Sequence, residues 1–220
     1  MAHEIRSPLS TIRLTMEVMA EDLQDPQTPK ERRDRDMINT VIRQCHRLET
    51  MLAQFMKYAK ATEIEPVPMD LNAEVQAVLQ FYQEKAKAKN IEIVAYLTPN
   101  LPRVLLDGNA FETVLWNLIN NADAAMEDGG QLIVRTYLIP GGVALELIDN
   151  GCGMDATTLE RLYDPYYTTK KHGFGLGLPI VKRIVDSHHA TIDVQSALRH
   201  GTKFTLRFPV LPQIEGGATL

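Results

Sequence analysis

Residues 149–154 read DNGCGM and residues 173–178 read GFGLGL. Glycine lets the backbone reach positive φ and lets a ligand approach closely, because it has no β-carbon. Asp149 follows the apolar run 143–148, so we expect a carboxylate at the C-terminal edge of a strand. GFGLGL precedes a predicted helix, and the free backbone N–H groups at a helix N-terminus bind anions. The two clusters together predict a nucleotide pocket, with an acceptor for a base and a glycine-rich helix N-terminus for phosphates.

The glycine clusters do not match the two best-known nucleotide motifs. GFGLGL is not the first turn of a βαβ unit, and the sequence GK[ST] occurs nowhere in the chain. A dinucleotide-binding fingerprint and a Walker loop are therefore both excluded. Either cluster alone is more typical of an ordinary turn, so the surrounding residues have to decide.

Composition indicates an ordinary globular protein. The chain has 220 residues, of which 45% are hydrophobic and 23% charged, and a net charge of −5 argues against nucleic-acid binding. Cys45 and Cys152 lie far apart, which favours neither a disulfide framework nor a metal site. No apolar stretch approaches membrane-spanning length, so we expect no membrane contact. The cysteine usage fits a reducing compartment, so we expect a cytoplasmic location. Because the sequence starts inside an amphipathic helix, we expect a fragment, with any membrane anchor of the parent protein in the missing N-terminal region.

The first sixty residues carry a heptad pattern. Apolar residues recur at alternating spacings of three and four, interrupted by the proline-containing stretch 25–29, as expected for two helices joined by a loop. We therefore predict an antiparallel helical hairpin over residues 1–61. Since each helix has only one apolar stripe, pairing with a second copy into a dimeric four-helix bundle would bury it best. The stripe residues are Ile5, Leu9, Ile12, Met16, Met19, Leu23, Ile38, Val41, Cys45, Leu48, Leu52, Phe55 and Ala59.

The rest of the chain predicts a second domain. Residues 62–70 contain two prolines and no periodicity, which indicates a linker. Residues 71–212 then alternate helical and strand patterns, with mostly antiparallel strands, which is typical of an α+β fold built as an α/β layer sandwich. Residues 213–220 read as a loose tail.

A pair of asparagines extends the predicted pocket. NLINNADAAM, at 117–126, lies on a predicted helix, where Asn117 and Asn121 share one face at i and i+4. Inward-facing amides need partners, and capping of neighbouring backbone is one option. The other is that their oxygens face Mg²⁺, which prefers oxygen ligands.

In this order, the motifs resemble those of the sensor histidine kinases of two-component systems. The matching segments are similar to the N, G1, F and G2 boxes and the final GTKF of that family: NLINNADAAM (117–126), DNGCGM (149–154), YDPYYTTK (163–170), GFGLGL (173–178) and GTKF (201–204). HEIRSPLS, at 3–10, resembles the H box. The resemblance covers nearly the whole chain and implies a GHKL-type ATP-binding domain after the hairpin. The NADAAM and DPYYTTK variants are nearest the nitrogen-regulatory and dicarboxylate-sensor subgroup.

The resemblance implies a role for each matching residue. Asn121 would hold Mg²⁺, Asn117 would support the metal and phosphates, Asp149 would accept a hydrogen bond from the adenine amino group, and Thr202 would reach the base through water. A mobile lid would cover ATP from 164 to 174. The other implied nucleotide-binding residues are the glycines beside the base, the lysines that would supply positive charge, and the G2 residues around the phosphates: Gly151, Gly153, Lys170 or Lys171, Gly173, Gly175, Gly177 and Leu178.

Two residues depart from the family pattern. Phe174 stands where a small polar residue is common, and Ala124 stands where many members have a basic residue. The second change shifts the phosphate-binding charge onto Lys170 or Lys171.

The phosphoacceptor implied by the H box is His3. It lies off the heptad stripe, so we expect it to face solvent, and an imidazole with an ordinary pKa of ~6.5 is mostly neutral and nucleophilic at pH 7. Glu4 would orient its ring, and Pro8 would bend or loosen the helix beside it. Ser7 occupies the family position that directs water for dephosphorylating the regulator, so a phosphatase activity is a further option.

The expected function is ATP-dependent autophosphorylation of His3, followed by phosphoryl transfer to an aspartate of a response regulator, in a homodimer. The alternative is a GHKL-type ATPase or nucleotide-binding module without phosphotransfer. Relatives of that kind carry glutamate at the position of Asn117 to activate water, and an amide is no general base. The sequence leaves open whether phosphorylation occurs within one chain or between two.

Overall fold

The computed structural model describes residues 2–170 and 173–210, without the side chains of residues 2–4 and 6. The chain forms two compact units that divide between Lys60 and Ala61. The first is a helical hairpin and the second is a mixed α/β layer, which confirms the predicted order of architectures. Within the described ranges, every helix is too short or too polar to cross a membrane.

The hairpin consists of α1 (Ala2–Glu21) and α2 (Pro29–Lys60). Helix α1 continues through Pro8. The start of α2 is fixed by a capping box, because the N–H of Glu31 donates to Thr28 Oγ1 and the N–H of Thr28 donates back to Glu31 Oε2. The two helices run antiparallel, with Ser10 of α1 hydrogen-bonded to Glu49 of α2 at 3.0 Å.

One chain covers only part of the heptad stripe. Ile38 and Cys45 are buried between the helices, which leaves much of the stripe in contact with solvent. The exposed stripe residues are Ile5, Ile12, Met19, Val41, Leu48 and Phe55. A hairpin with this much apolar surface has reason to pair with another helical surface.

The second unit contains four helices and seven strands within the described residues. The helices are α3 (Leu71–Ala88), α4 (Gly108–Ala125), α5 (Ala156–Arg161) and α6 (Gly177–Ser187). The strands are β1 (Val67–Met69), β2 (Ile91–Leu97), β3 (Val104–Leu106), β4 (Gly130–Ile139), β5 (Gly142–Asp149), β6 (Thr191–Ser196) and β7 (Thr202–Pro209).

The main sheet has the order β2-β4-β5-β7-β6, and only the β2–β4 pair is parallel. Helices α3, α4 and α6 pack on one face. Strand β7 places the buried side chains at 204, 206 and 208 on that face and the more polar ones at 203, 205 and 207 on the other. The ring of Phe208 meets that of Phe111 from α4 edge-to-face, with centroids 5.6 Å apart. The sandwich core thus lies between the sheet and α4.

The predicted linker was wrong for three of its residues. Val67–Met69 form β1, which pairs antiparallel with β3 and places Pro68 opposite Leu105. A short two-stranded ribbon tolerates proline because its outer edge needs no N–H donor. The prolines at 66 and 68 hid this strand from any pattern in the sequence. The tail predicted at 213–220 lies outside the described residues.

Both ends of α4 are tied to other elements by polar groups. Asp107 caps the helix by accepting from the N–H of Ala110, and its other oxygen accepts from the N–H of Glu65. The backbone N–H of Asp107 donates to Nε2 of the buried His188, whose Nδ1 lies 2.7 Å from the carbonyl oxygen of Ile184. The imidazole thus lies between the two helices and fixes the start of α4 against the end of α6.

The opposite end of α4 is anchored by a buried carboxylate. Asp123 accepts hydrogen bonds from Tyr82 Oη (3.0 Å) and Lys89 Nζ (2.8 Å), and Lys85 Nζ lies 3.3 Å away. Burial raises the pKa of Asp123, but the bonds from Lys89, Tyr82 and Lys85 outweigh it, so that the pKa is lowered overall. This cluster joins α4 to α3.

We predict that Asp123→Asn destabilises the second unit by about 2–3 kcal/mol, because two ammonium groups and a buried phenol lose an anionic partner and one of its two accepting oxygens. Urea denaturation of the variant and the parent measures this loss. A lowered pKa contributes stability above the unfolded-state value of about 3.9, and that stability disappears as the pH falls below it. The difference between variant and parent should therefore shrink as the pH is taken from 7 to below 4.

Glu84→Gln is the matched control, because Glu84 pairs with Lys87 on the exposed surface of the same helix, α3. It should change the free energy of unfolding by less than about 0.5 kcal/mol. Equal effects of the two substitutions would contradict an anchoring role for Asp123.

Candidate active site

One face of α4 forms the floor of the candidate site. Asn117, Asn121 and Ala125 follow one another at i, i+4 and i+8, so they lie on successive turns of the same face. Each of the three contacts a different loop of the predicted pocket. The structure thus brings the N, G1, F and G2 motifs together on a single helix.

The first loop begins at Asp149, the last residue of β5. Its buried carboxylate accepts a 2.9 Å hydrogen bond from the N–H of Gly151, and Thr202 stands beside it on β7 in register. Burial raises the pKa of Asp149, and backbone hydrogen bonds from Gly151 and Thr202 only partly oppose this shift. The result is an acceptor held rigidly in a low-dielectric environment.

The glycines of DNGCGM have a structural reason in addition to the predicted one. A β-carbon at Gly151 would stand 2.6 Å from the carbonyl oxygen of Ala125, and one at Gly153, where φ is +66°, would collide with the carbonyl oxygen of Ala197. The N–H of Cys152 donates to that same oxygen of Ala125 at 3.0 Å. Contact with the protein's own backbone therefore requires both glycines, whether or not a base lies against them.

Ser196 belongs to this part of the site and was not predicted. Its hydroxyl accepts from the N–H of Met154 at 2.9 Å, donates to the carbonyl oxygen of Gly201 at 2.8 Å and lies 3.0 Å from Thr202 Oγ1. It thereby holds the end of the DNGCGM loop against the start of β7. A serine at the end of a strand gives no signal in a single sequence.

The second loop reaches the floor at Asn117. A β-carbon at Gly177, the first residue of α6, would stand 2.8 Å from Asn117 Oδ1, so only glycine allows this approach. Helices α3, α4 and α5 begin on capping aspartates, whereas Leu176, before α6, has no side chain able to cap. The first N–H groups of α6, including that of Leu178, are therefore available to an anion.

The predicted lid is attached at its base. The N–H of Tyr166 donates to the carbonyl oxygen of Gly175 at 2.9 Å, and the N–H of Gly173 donates to that of Lys170 at 3.2 Å. The guanidinium of Arg161 lies over the ring of Tyr167, 4.2 Å from its centroid. These contacts hold the F and G2 motifs beside each other.

The third contact of the floor is made by a lysine. Lys170 Nζ donates to Asn121 Oδ1 at 2.7 Å. Although Lys170 is exposed as a residue, burial of its ammonium lowers its pKa, while the charges of Asp123 and Cys152 oppose this shift. The amide oxygen of Asn121 thus already serves as a ligand to a cation.

The donor set around Asn121 fits a metal that arrives with its own ligands. No cluster of three or more histidine, cysteine or acidic side chains suited to a metal occurs in the part of the chain that the structure describes. One amide oxygen suits Mg²⁺ that keeps several waters and binds phosphate oxygens, but not a metal held by protein alone. The residues present therefore fit Mg²⁺ bound together with a nucleotide.

Some residues of the predicted site are not among those that the structure describes. They include the side chains of His3 and Glu4 and the whole of Lys171. The backbone of His3 and Glu4 belongs to α1, and Ser7 is exposed on the same helix.

Two families match the chain. Residues 1–64 match the His Kinase A (phospho-acceptor) domain, and residues 106–212 match the family of histidine kinase-, DNA gyrase B-, and HSP90-like ATPases. The second match contains the floor of the site and its three loops.

Curated relatives and solved structures agree with these matches. The histidine-protein kinase AtoS of Escherichia coli K12 is 28% identical over 96% of this chain and 34% of its own length. The sensor histidine kinase ZraS of the same strain is 32% identical over 95% of this chain and 44% of its own. The crystal structure of histidine kinase ThkA in complex with response regulator protein TrrA superposes with a TM-score of 0.66 at 27% identity, covering 97% of this chain and 61% of that one.

This chain thus spans between a third and a half of the length of those two curated relatives. The phosphoacceptor match precedes the ATPase-type match in this chain, and the resemblance of the motifs is confirmed. The chain belongs to the sensor histidine kinase family.

Proposed function

We propose that this chain is the catalytic core of a histidine kinase, which phosphorylates its own His3 from ATP and passes the phosphoryl group to an aspartate of a response regulator. The observation that carries the proposal is the face of α4 formed by Asn117, Asn121 and Ala125, because it meets all three pocket loops. The proposed division is a hairpin at 1–61, a short connection, and an ATP-binding domain that ends at 212.

Asp149 is proposed to bind the base. Its carboxylate lies at the end of β5, buried and oriented by the N–H of Gly151. The free lone pairs of such a carboxylate suit the exocyclic amino group of adenine, and Thr202 offers a hydroxyl to a bridging water beside it. Gly151 and Gly153 shape this loop.

The phosphates are proposed to lie over α4 near the start of α6. The open N–H groups of α6 and the ammonium of Lys170 supply positive potential there, and Gly173, Gly175 and Gly177 keep the loop close to α4. Asn121 would hold Mg²⁺, which neutralises phosphate charge when it is bound. Asn117 would support the phosphates from the preceding turn.

The transfer itself follows from nucleophile chemistry. A neutral imidazole nitrogen of His3 forms the new N–P bond as the bond between the γ-phosphorus and the bridging oxygen breaks and ADP leaves. Glu4 would accept the other ring proton. The alternative, hydrolysis by water, needs a general base, and the amide of Asn117 already donates to the carbonyl oxygen of Thr113 at 2.8 Å.

Two partners are proposed. The exposed half of the heptad stripe suits a second copy of the hairpin, as the match to the phosphoacceptor domain supports. A receiver domain suits the phosphohistidine, since the relative ThkA forms a complex with response regulator TrrA. Because such kinases draw on intracellular ATP, we place the activity in the cytoplasm.

We predict that incubation with γ-labelled ATP and Mg²⁺ gives an acid-labile label on the parent chain. His3→Gln should abolish the label, and Asn121→Ala should reduce it by about 100-fold, because the developing phosphate charge loses a positioned metal. Asn120→Ala is the matched control, since this neighbouring amide lies near Lys85 on the other side of the helix. It should label like the parent.

Label that survives in His3→Gln would refute the assignment of the phosphoacceptor. Release of free phosphate at the same rate by the parent and by His3→Gln, without label on either, would support the ATPase alternative instead.

We predict that Asp149→Asn weakens ATP binding about tenfold, since the charged acceptor becomes a neutral one. It should also reduce discrimination against GTP, because an amide N–H can donate to the guanine carbonyl that a carboxylate repels. The pKa of Asp149 is raised by burial, so removing its charge should leave stability at pH 7 unchanged or higher. Calorimetric titration with both nucleotides and urea denaturation test this; a destabilised variant with unaltered base selectivity would contradict the role.

We predict that Ile12→Glu shifts the chain from dimer to monomer, raising the dissociation constant by on the order of 100-fold, because a carboxylate would be buried in the seam. Leu14→Glu is the control, since Leu14 is exposed on the other side of α1. Sedimentation equilibrium distinguishes the two. A parent that is monomeric at tens of micromolar, or equal effects of both variants, would refute the hairpin seam as the dimer interface.

A further inference from the structure

The ammonium of Lys170 is hydrogen-bonded to a neutral amide oxygen. It reaches from the end of the F motif to Asn121 Oδ1, 2.7 Å away, across 49 residues of sequence. That oxygen is the one to which the proposed function assigns Mg²⁺. The same atom therefore has two candidate cations.

The ammonium lacks an anionic partner. Within the ranges that the structure describes, Lys170 forms no ion pair with a carboxylate, and the nearby Asp123 already accepts from Tyr82 and Lys89. A neutral amide compensates the charge of an ammonium only in part. An anion entering the site would be a better partner for this lysine than Asn121 is.

The side chain is able to change partners without unfolding the loop. The backbone at Lys170 is held on both sides, because its N–H donates to Thr168 Oγ1 at 3.1 Å and its carbonyl oxygen accepts from the N–H of Gly173. The four-carbon stem of lysine is flexible and places its charge over a range of positions. Movement of the ammonium therefore requires only side-chain rotation.

The two cations exclude each other at this oxygen. A divalent and a monovalent cation beside one oxygen repel each other strongly unless an anion separates them. If Asn121 held Mg²⁺, the ammonium of Lys170 would therefore leave this oxygen and pair with the phosphates.

We propose that the ammonium of Lys170 occupies the Asn121 oxygen when no metal is bound, and that it thereby determines how strongly nucleotide binding depends on Mg²⁺. Without metal, its ammonium remains at the floor and binds the phosphates in place of Mg²⁺. With metal, the ammonium leaves the Asn121 oxygen and pairs only with the phosphates. The inference rests on the proposed nucleotide site and adds a specific function for one residue in it.

The test compares ADP binding to the 220-residue chain by calorimetry in Mg²⁺ and in EDTA. In Lys170→Met the affinity in EDTA should fall by about tenfold or more, because a charged hydrogen bond to phosphate is lost. In Mg²⁺ the loss should be smaller, since the metal no longer competes with an ammonium. The Mg²⁺ concentration that gives half-maximal ADP binding should accordingly decrease in the variant.

Lys170→Arg keeps the charge and should retain the parent's ratio of the two affinities. Lys87→Ala, which removes an exposed lysine paired with Glu84 on α3, is the control for a general loss of positive charge and should bind like the parent. Thermal unfolding of each variant confirms that the exposed position tolerates the change.

Equal losses in Mg²⁺ and EDTA would make Lys170 an ordinary phosphate ligand and overturn the inference. Unchanged affinity in EDTA would overturn it as well. A parent chain that binds no ADP even in Mg²⁺ would instead refute the proposed nucleotide site, so the two failures are distinguishable.

Discussion

The second unit depends on the simultaneous contacts of α4 on three sides. One side is apolar and packs on the sheet, with Phe111 against Phe208. A second carries Asp123 into the cluster with α3. The third carries Asn117 and Asn121 toward the loops. Because all three sides belong to one helix, a shift of the sheet, α3 or the loops relative to the others would break one of these contacts.

Polar groups make this arrangement specific. Burying amides and carboxylates is unfavourable unless each finds its partners, and here both ends of α4 have them. Asp107 meets His188 and the backbone of Glu65 at one end, and Asp123 meets Tyr82 and two lysines at the other. A rotation or slide of α4 would leave these groups unpaired, whereas a purely apolar helix would tolerate several registers. The positions of Asn117 and Asn121 are therefore fixed by polar contacts at the two ends of the helix.

Periodic features of this protein were predictable, and features made by tertiary contact were not. The heptads of the hairpin helices and the i, i+4 spacing of Asn117 and Asn121 are each local to a single helix, so they can be read from the sequence. Strand β1 exists through its pairing with β3, and the prolines at 66 and 68 oppose any strand pattern. Ser196 matters because Met154 and the adjacent residues Gly201 and Thr202 converge on it. The glycines of DNGCGM were correctly marked as special, but the atoms that require them, in Ala125 and Ala197, are distant in sequence.

The absence of a side-chain cap on α6 links the folding of this helix to its ligand. Leu176 offers the first turn no acceptor, so its N–H groups depend on water or on whatever binds there. Any anion that binds these groups in the native state contributes its binding free energy to the helix. The start of α6 is then the part of the domain whose local stability varies with ligand concentration, while the aspartate-capped α3, α4 and α5 keep theirs. With a nucleotide phosphate as that anion, nucleotide concentration would set the local stability of this one helical turn.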